Sequence, residues 1–253
     1  MKIGIVGFGH VGGAMKELFK NAIVYDKIKN IGTQEEINAC DVAFICVPTP
    51  PNSDGSCNTS IVEEVISWCK AKVLILRSTI RIGFTDEMID KYHKEIVFQP
   101  EYYGETTAHP FANLSDRKWL TFGGSKQGID LAIKAYQTVL NADVNIYQST
   151  SKEAEMAKYM ENAFFATKVT FCNEMFDICT KLGIDYNMVR ELWTADPRIG
   201  KYHTFVYENE RGFGGSCLPK DLSSLRQQGI ENGLDMTLMN AVIEKNAIIK
   251  GEK

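Results

Sequence analysis

Short apolar runs alternating with longer stretches of helical periodicity organise the first 149 residues. Residues 2–6, 22–25, 42–47, 73–76, 96–98, 119–122 and 144–147 are apolar at nearly every position, as strands covered on both faces are. Between them, the stretch through Met15, Leu18 and Phe19 and residues 60–71, 84–92 and 126–140 carry helical spacing. This alternation predicts an α/β fold with a doubly wound, mainly parallel sheet.

The pattern then changes. Residues 150–182 contain neither proline nor glycine, Thr150 and Glu153 fit a capping box, and Gly183 follows. A helix of that length would run roughly 48 Å, far more than a crossover needs. It predicts an all-helical domain built on one long helix, with domains at 1–149 and 150–253. Asp185 is placed to cap a helix through Val189 and Trp193, and a last helix is expected from about 234 to 249. The long helix has apolar residues on more than one face (Met156, Tyr159, Met160, Ala163, Phe164, Phe165, Val169, Phe171 and Phe176). That is more than a small domain hides, and a homodimer is expected.

Composition narrows the class. The chain has 253 residues, 44% of them hydrophobic and 24% charged, with a net charge of −4. Scattered basic residues give no nucleic-acid or anionic-membrane footprint. No apolar run approaches the roughly 20 residues that span a bilayer. Glycines interrupt the N-terminal run at once, so it reads as a strand and not a signal peptide. Seven cysteines without a CxxC pair argue against a disulfide framework or a zinc site. A cytoplasmic protein with no metal is expected.

The first strand runs into Gly7, Gly9 and Gly12, and then a helix. In a strand–GxGxxG–helix unit the first glycine turns the chain, the second admits a pyrophosphate, and the third lets helix pack on strand. The second strand ends at Asp26, which can accept from a ribose 2′-hydroxyl and would repel a 2′-phosphate. The sheet is therefore read as a Rossmann sheet, and the cofactor as NAD, not NADP. His10 and Val11 belong to the same loop; His10 is given no catalytic role.

Residues 211–221 read Arg-Gly-Phe-Gly-Gly-Ser-Cys-Leu-Pro-Lys-Asp. Gly212, Gly214 and Gly215 permit a turn that side chains forbid, and Pro219 suits the first turn of a helix expected to end at Gly229. The terminus would offer N–H groups to Cys217, with Lys220 close by, and both favour a thiolate. A glycine-rich turn around a small structural cysteine is the blander possibility. The glycines, Pro219 and the Lys220–Asp221 pair favour a reactive thiol.

This segment resembles the signature of the UDP-glucose and GDP-mannose dehydrogenases, NAD-dependent enzymes that oxidise a sugar alcohol twice to a carboxylate. The resemblance implies that Cys217 is the nucleophile. It extends to Cys46, Val47, Pro48, Thr49 and Pro50, similar to a loop that borders the nicotinamide ribose. Arg77 to Ile80 is similar to a segment whose threonine, here Thr79, holds a catalytic water. Residues 99–105 imply that Glu101 and Glu105 face the active site, with Tyr102 and Tyr103 toward substrate. Lys158 and Asn162, four apart on one helical face, match a pair that lies against the carbon being oxidised. Asp196 to Gly200 resembles the DPRIG loop. Asp221 would assist a base or water, Lys220 would meet the cofactor, and Tyr202, Arg211, Phe213 and Gly214 would meet the substrate.

There are departures. The segment between Asp26 and Asp41 is short, so a peripheral strand and a loop are expected to be trimmed. His10 stands where tyrosine is common. The nucleotide-binding domain that ends the family's chains is expected to be missing. The implied substrate is a small-molecule nucleotide sugar of the UDP-glucose type, and the implied assembly is a homodimer through the long helix. Two alternatives stay open: a single-step NAD-dependent hydroxy-acid dehydrogenase, which needs no cysteine, and a non-catalytic NAD-binding partner of a longer enzyme.

Overall fold

The computed structural model describes residues 1–102 and 117–252. The elements are β1 (Ile3–Val6), α1 (His10–Leu18), β2 (Ile23–Tyr25), α2 (Gln34–Asn38), β3 (Val42–Ile45), α3 (Ser60–Trp68), β4 (Val73–Leu76), α4 (Phe84–Tyr92) and β5 (Ile96–Phe98). They continue with β6 (Trp119–Gly124), α5 (Lys126–Tyr136), β7 (Asn145–Ser149), α6 (Ser151–Leu182), α7 (Tyr186–Trp193), α8 (Leu218–Glu231) and α9 (Thr237–Lys250). Two compact units result. The first is Met1–Asn52 with Cys57–Lys158, and the second is Ser53–Ser56 with Tyr159–Lys253.

In the first unit the strands lie in the order β2-β1-β3-β4-β5-β6-β7. Every pairing is parallel except β5 with β6. Strand alternation sorts the core into two layers. Ile5, Phe44, Ile75 and Val97 face one way, against Met15 and Phe19 of α1 and Ile129, Ala132 and Tyr136 of α5. Val6, Ile45, Leu74 and Phe98 face the other, against Val62 and Ile66 of α3 and Phe84 and Met88 of α4. Strands covered on both faces need the continuous apolar runs seen in the sequence. Strand order reverses between β1 and β3, the switch point at which doubly wound sheets bind ligands.

A buried carboxylate ties the start of α6 to this unit. Glu155 is fully buried and accepts from the N–H groups of Gly83 at 2.5 Å and Thr85 at 3.0 Å, capping α4 where Gly83 offers no side chain. Burial raises its pKa above the ordinary 4.5, against the lowering by the Thr85 and Gly83 hydrogen bonds. A raised carboxyl pKa favours the folded state while protonated, and that contribution is lost as pH rises from 4.5 through the folded value. Glu155→Gln keeps an acceptor and removes the charge. Denaturant midpoints measured across pH should therefore fall less steeply with rising pH in this variant than in the parent.

The long helix α6, which runs from the first unit into the second, begins with the predicted capping box. Thr150 N–H donates to Glu153 Oε2 at 2.8 Å, and Glu153 N–H donates to Thr150 Oγ1 at 3.3 Å. It ends at Gly183, φ +68°, with Ile184 N–H reaching back to the Cys179 carbonyl. Ala163, Ala166, Phe213, Leu222 and Val242 form the core between α6, the cysteine segment, α8 and α9.

Three expectations need correcting. The helix α2 went unread, although Thr33 and Glu36 cap it reciprocally. The helix after Cys217 does not stop at Gly229, and α8 runs on to Glu231. Gly229 is there for space: a Cβ would stand 2.2 Å from the Met236 sulfur. The last helix starts at Thr237, where Asp235 Oδ1 accepts from the Thr237 N–H at 3.0 Å, and not at 234.

Candidate active site

The glycine loop follows β1, and its three glycines have three separate causes. Gly7 has φ +89° and donates to the Tyr25 carbonyl at 2.9 Å; a Cβ on it would meet the Cys46 carbonyl oxygen at 2.7 Å. At Gly12 a Cβ would lie 1.9 Å from the Gly7 carbonyl oxygen. Gly9 has nothing within 4 Å and caps α1 without a side chain. That space lies at the N-terminus of α1, where His10 and Val11 form the first turn and where helices accept anions.

Asp26 ends β2. Its carboxylate accepts from the Phe8 N–H at 2.7 Å, Ile28 N–H at 2.9 Å and Lys29 N–H at 2.8 Å. Burial alone would raise its pKa; the amides of Phe8, Lys29 and Ile28, with the Lys29 ammonium, outweigh it and hold the carboxyl low. A fixed anion therefore stands at the end of β2, where the dinucleotide-binding motif would meet a ribose. After β3, Val47, Pro48 and buried Thr49 form the next loop, with the Ser78 hydroxyl on the Val47 carbonyl at 2.6 Å. Thr79 is half-buried, and its carbonyl accepts from the Cys57 thiol at 3.3 Å. An open glycine turn, a helix N-terminus and a fixed carboxylate fit NAD. NAD should bind at least ~10-fold tighter than NADP, a modest share of what like charges at short range cost. Titration of both cofactors checks this, and equal affinities would remove Asp26 as the selector.

Glu101 is not placed as a free carboxylate. It pairs with the buried guanidinium of Arg77 and with Arg117 Nη2 at 3.2 Å. Arg77 Nη1 donates to the Tyr136 hydroxyl at 3.4 Å, which donates to Gln99 Oε1 at 2.8 Å. Burial pushes Arg77 down, Tyr136 up and the Cys46 thiol up to about 12. The Tyr102 ring has Lys158 Nζ at 5.1 Å and the Arg117 guanidinium at 5.8 Å. Glu105 and Tyr103 lie outside the described residues. Arg117 was not singled out from the sequence; nothing marks a basic residue ahead of a strand as buried.

In the second unit, Asn162 and Asp221 come together. Asn162 Nδ2 donates to Asp221 Oδ2 at 2.5 Å, and Lys220 Nζ donates to Asp221 Oδ1 at 2.6 Å. Asp221 is 1% exposed. Lys158 lies one turn before Asn162 on α6, and Cys217 one turn before Asp221, whose N–H donates to the Cys217 carbonyl at 2.9 Å. Cys217 caps α8 and is the one exposed thiol of the seven. The Lys220 ammonium is thus paired with Asp221.

The expected substrate residues separate. Tyr202 is 65% exposed and Gly214 is exposed. Phe213 is buried in the apolar core. Arg211 lies over the Phe176 ring at 4.7 Å and binds Asn173 and Asp177 of α6. Both therefore hold the cysteine segment to its own helices.

A Rossmann sheet with an NAD-fitting turn, followed by a helical unit that presents a thiol beside a buried Asn–Asp–Lys cluster, defines the class of NAD-dependent dehydrogenases with a candidate cysteine nucleophile. The sequence profile of the UDP-glucose/GDP-mannose dehydrogenase family, NAD binding domain, matches residues 14–138, and that of the central domain matches residues 152–248. The chain belongs to this family. It is 30% identical over 229 residues to a UDP-glucose 6-dehydrogenase of Pseudomonas aeruginosa, covering 84% of this chain and 50% of that protein. A UDP-glucose 6-dehydrogenase of Bacillus subtilis is 32% identical over 216 residues, covering 81% and 48%. The chain spans about half the length of these curated relatives. A UDP-glucose dehydrogenase from Pyrobaculum islandicum has the same fold, with TM-score 0.84 and 24% identity over 98% of this chain and 68% of that one. A GDP-mannose dehydrogenase in a ternary complex, from Pseudomonas aeruginosa, gives TM-score 0.67 at 24% identity over 98% and 69%. No helix among the described residues is long and apolar enough to cross a membrane.

Proposed function

We propose that the chain carries the catalytic part of a nucleotide-sugar dehydrogenase that oxidises the primary alcohol of a UDP-hexose to a carboxylate. The observation that carries this reading is the buried Asn162–Asp221–Lys220 cluster one helical turn from the exposed Cys217 thiol. A single-step dehydrogenase has no use for that thiol, and a binding module has no use for the cluster.

NAD, when bound, accepts the hydride in each of two oxidations. In the first, the alcohol proton leaves to a water or base held by Asp221, and Lys158 and Asn162 stabilise the oxygen as charge builds on it. The Cys217 thiolate then adds to the aldehyde carbon: a C–S bond forms, the C=O π bond breaks, and the oxygen takes back the proton held by that water or base, giving a hemithioacetal. Loss of its C–H as hydride and its O–H as a proton leaves a thioester. Water held by Asp221 adds to that carbon, the C–S bond breaks, and the thiolate departs from the acid. The glutamate that orients this water is Glu101 or Glu105.

The experiment is a count of NADH per UDP-glucose consumed. Two supports this reading, one supports the hydroxy-acid alternative, and none supports a binding module.

The same proposal includes a homodimer. Tyr159 and Ala163 are buried within the chain, yet Met160, Phe164, Phe171 and Ile178 stay exposed, with Met160 at 64%. At 100° per residue these four fall within one narrow stripe of α6, as a two-fold helix pair requires. Sedimentation at micromolar concentration should give a dimer, and Phe164→Glu with Phe171→Glu a monomer. A monomeric parent would rule out the pairing.

A further inference from the structure

The base of the cysteine segment is gripped by two buried side-chain amides. Asn246 of α9, 8% exposed, closes both polar groups of Phe213: its Oδ1 accepts from the Phe213 N–H at 2.8 Å, and its Nδ2 donates to the Phe213 carbonyl at 3.0 Å. One amide thus does for Phe213 what a neighbouring strand would do. Asn173 of α6, 1% exposed, treats the two preceding residues alike. Its Oδ1 accepts from Arg211 Nε at 2.7 Å and the Gly212 N–H at 3.2 Å, and its own Nδ2 is fixed on the Val169 carbonyl at 2.9 Å.

Gly212 sits between these amides with φ +79°, and a Cβ on it would lie 2.5 Å from Asn246 Oδ1. Glycine at this position lets Asn246 reach the chain. Downstream, Cys217 starts α8, and Leu222 of that helix shares an apolar cluster with Phe213. The thiol is therefore tethered on both sides, by the amide clamp before it and by the packed helix after it. The two glycines between clamp and cysteine, Gly214 and Gly215, supply no packing of their own.

We propose that Asn246 and Asn173 are positioning residues for Cys217, acting through the backbone of residues 211–213 and touching no substrate. This rests on the reading of Cys217 as the nucleophile. Reacting atoms must be held at near-attack separation, and misplacement by about 1 Å costs on the order of 100-fold in rate. The second oxidation and the hydrolysis need the thiol in place; the first hydride transfer and NAD binding do not.

The test uses the full chain with Asn246→Ala, Asn246→Asp, which keeps the acceptor and loses the donor, and Asn173→Ser. Circular dichroism and NAD titration establish folding. Alkylation by iodoacetamide then reports the thiol: the Cys217 sulfur displaces iodide, one S–C bond forming as one C–I bond breaks, with Cys217→Ser as the zero. The aldehyde released from UDP-glucose is trapped as a hydrazone and compared with the acid formed. Folded variants should bind NAD like the parent, alkylate at a rate changed by about 10-fold or more, and release aldehyde with the acid-to-aldehyde ratio down by about 10- to 100-fold. Parental alkylation and a parental ratio in the folded variants would overturn the proposal. If Asn246→Ala fails to fold, Asn246→Asp and Asn173→Ser decide it by the same measurements. If Cys217→Ser still makes the acid, the nucleophile reading fails, while the alkylation rates still report the clamp.

Discussion

Cys217→Ser should cut net formation of the acid by at least about 10³-fold while leaving NAD affinity unchanged, since loss of a covalent nucleophile is among the largest single effects in catalysis. Serine keeps the shape but has no accessible anion near neutral pH, so addition to the aldehyde stalls. The first hydride transfer does not use the thiol, and aldehyde should accumulate. The residue caps α8 with its backbone and makes no side-chain cap bond. Its solvent exposure means that replacement costs little packing, so a folded, NAD-binding, acid-deficient protein is expected. Acid formation at the parental rate, followed by chromatography of the sugar product, would return Cys217 to a structural role.

Two neighbouring glycines should fail in opposite ways. Gly12→Ala drives a Cβ to 1.9 Å from the Gly7 carbonyl oxygen. That oxygen belongs to a residue at φ +89° whose N–H is bonded to the Tyr25 carbonyl at 2.9 Å, which limits its retreat. The variant should lose about 3 kcal/mol or more of stability, the upper range for overpacking, and NAD binding with it. Gly9→Ala meets nothing within 4 Å, and φ −81° is open to alanine. It should melt with the parent yet bind NAD at least about 10-fold more weakly, because the methyl group fills the space through which a pyrophosphate approaches. Thermal melts paired with cofactor titration separate the two. A stable Gly9→Ala variant with parental NAD affinity would move the phosphates away from this turn.

The sheet was legible because its central strands, β3, β4 and β5, are short and covered on both faces. β4 and β5 have the boundaries read from the apolar runs, and α4 spans the residues read from helical spacing. The capping box at Thr150 and the stop at Gly183 are local signals, satisfied by local hydrogen bonds. α2 carried an equally local signal in Thr33 and Glu36, but its five residues are too few to show a period. Gly229 misled because glycine marks either a stop or a close approach, and only the position of Met236 distinguishes them.

Of the site, the sequence by itself determined the residue types and their order: the glycine turn, Asp26, the Lys158–Asn162 spacing and the Cys217–Asp221 spacing. Periodicity and spacing fix what one turn or one helix face presents, because those relations are set by the backbone within a few residues. Which partner each charge takes was decided only by tertiary structure. Lys220 turned to Asp221 and Glu101 to Arg77 and Arg117, while Arg211 and Phe213 were drawn into their own helical unit. Apart from Lys220 and its chain neighbour Asp221, these pairings join groups well apart in the chain, and burial makes them obligatory. No local pattern encodes that.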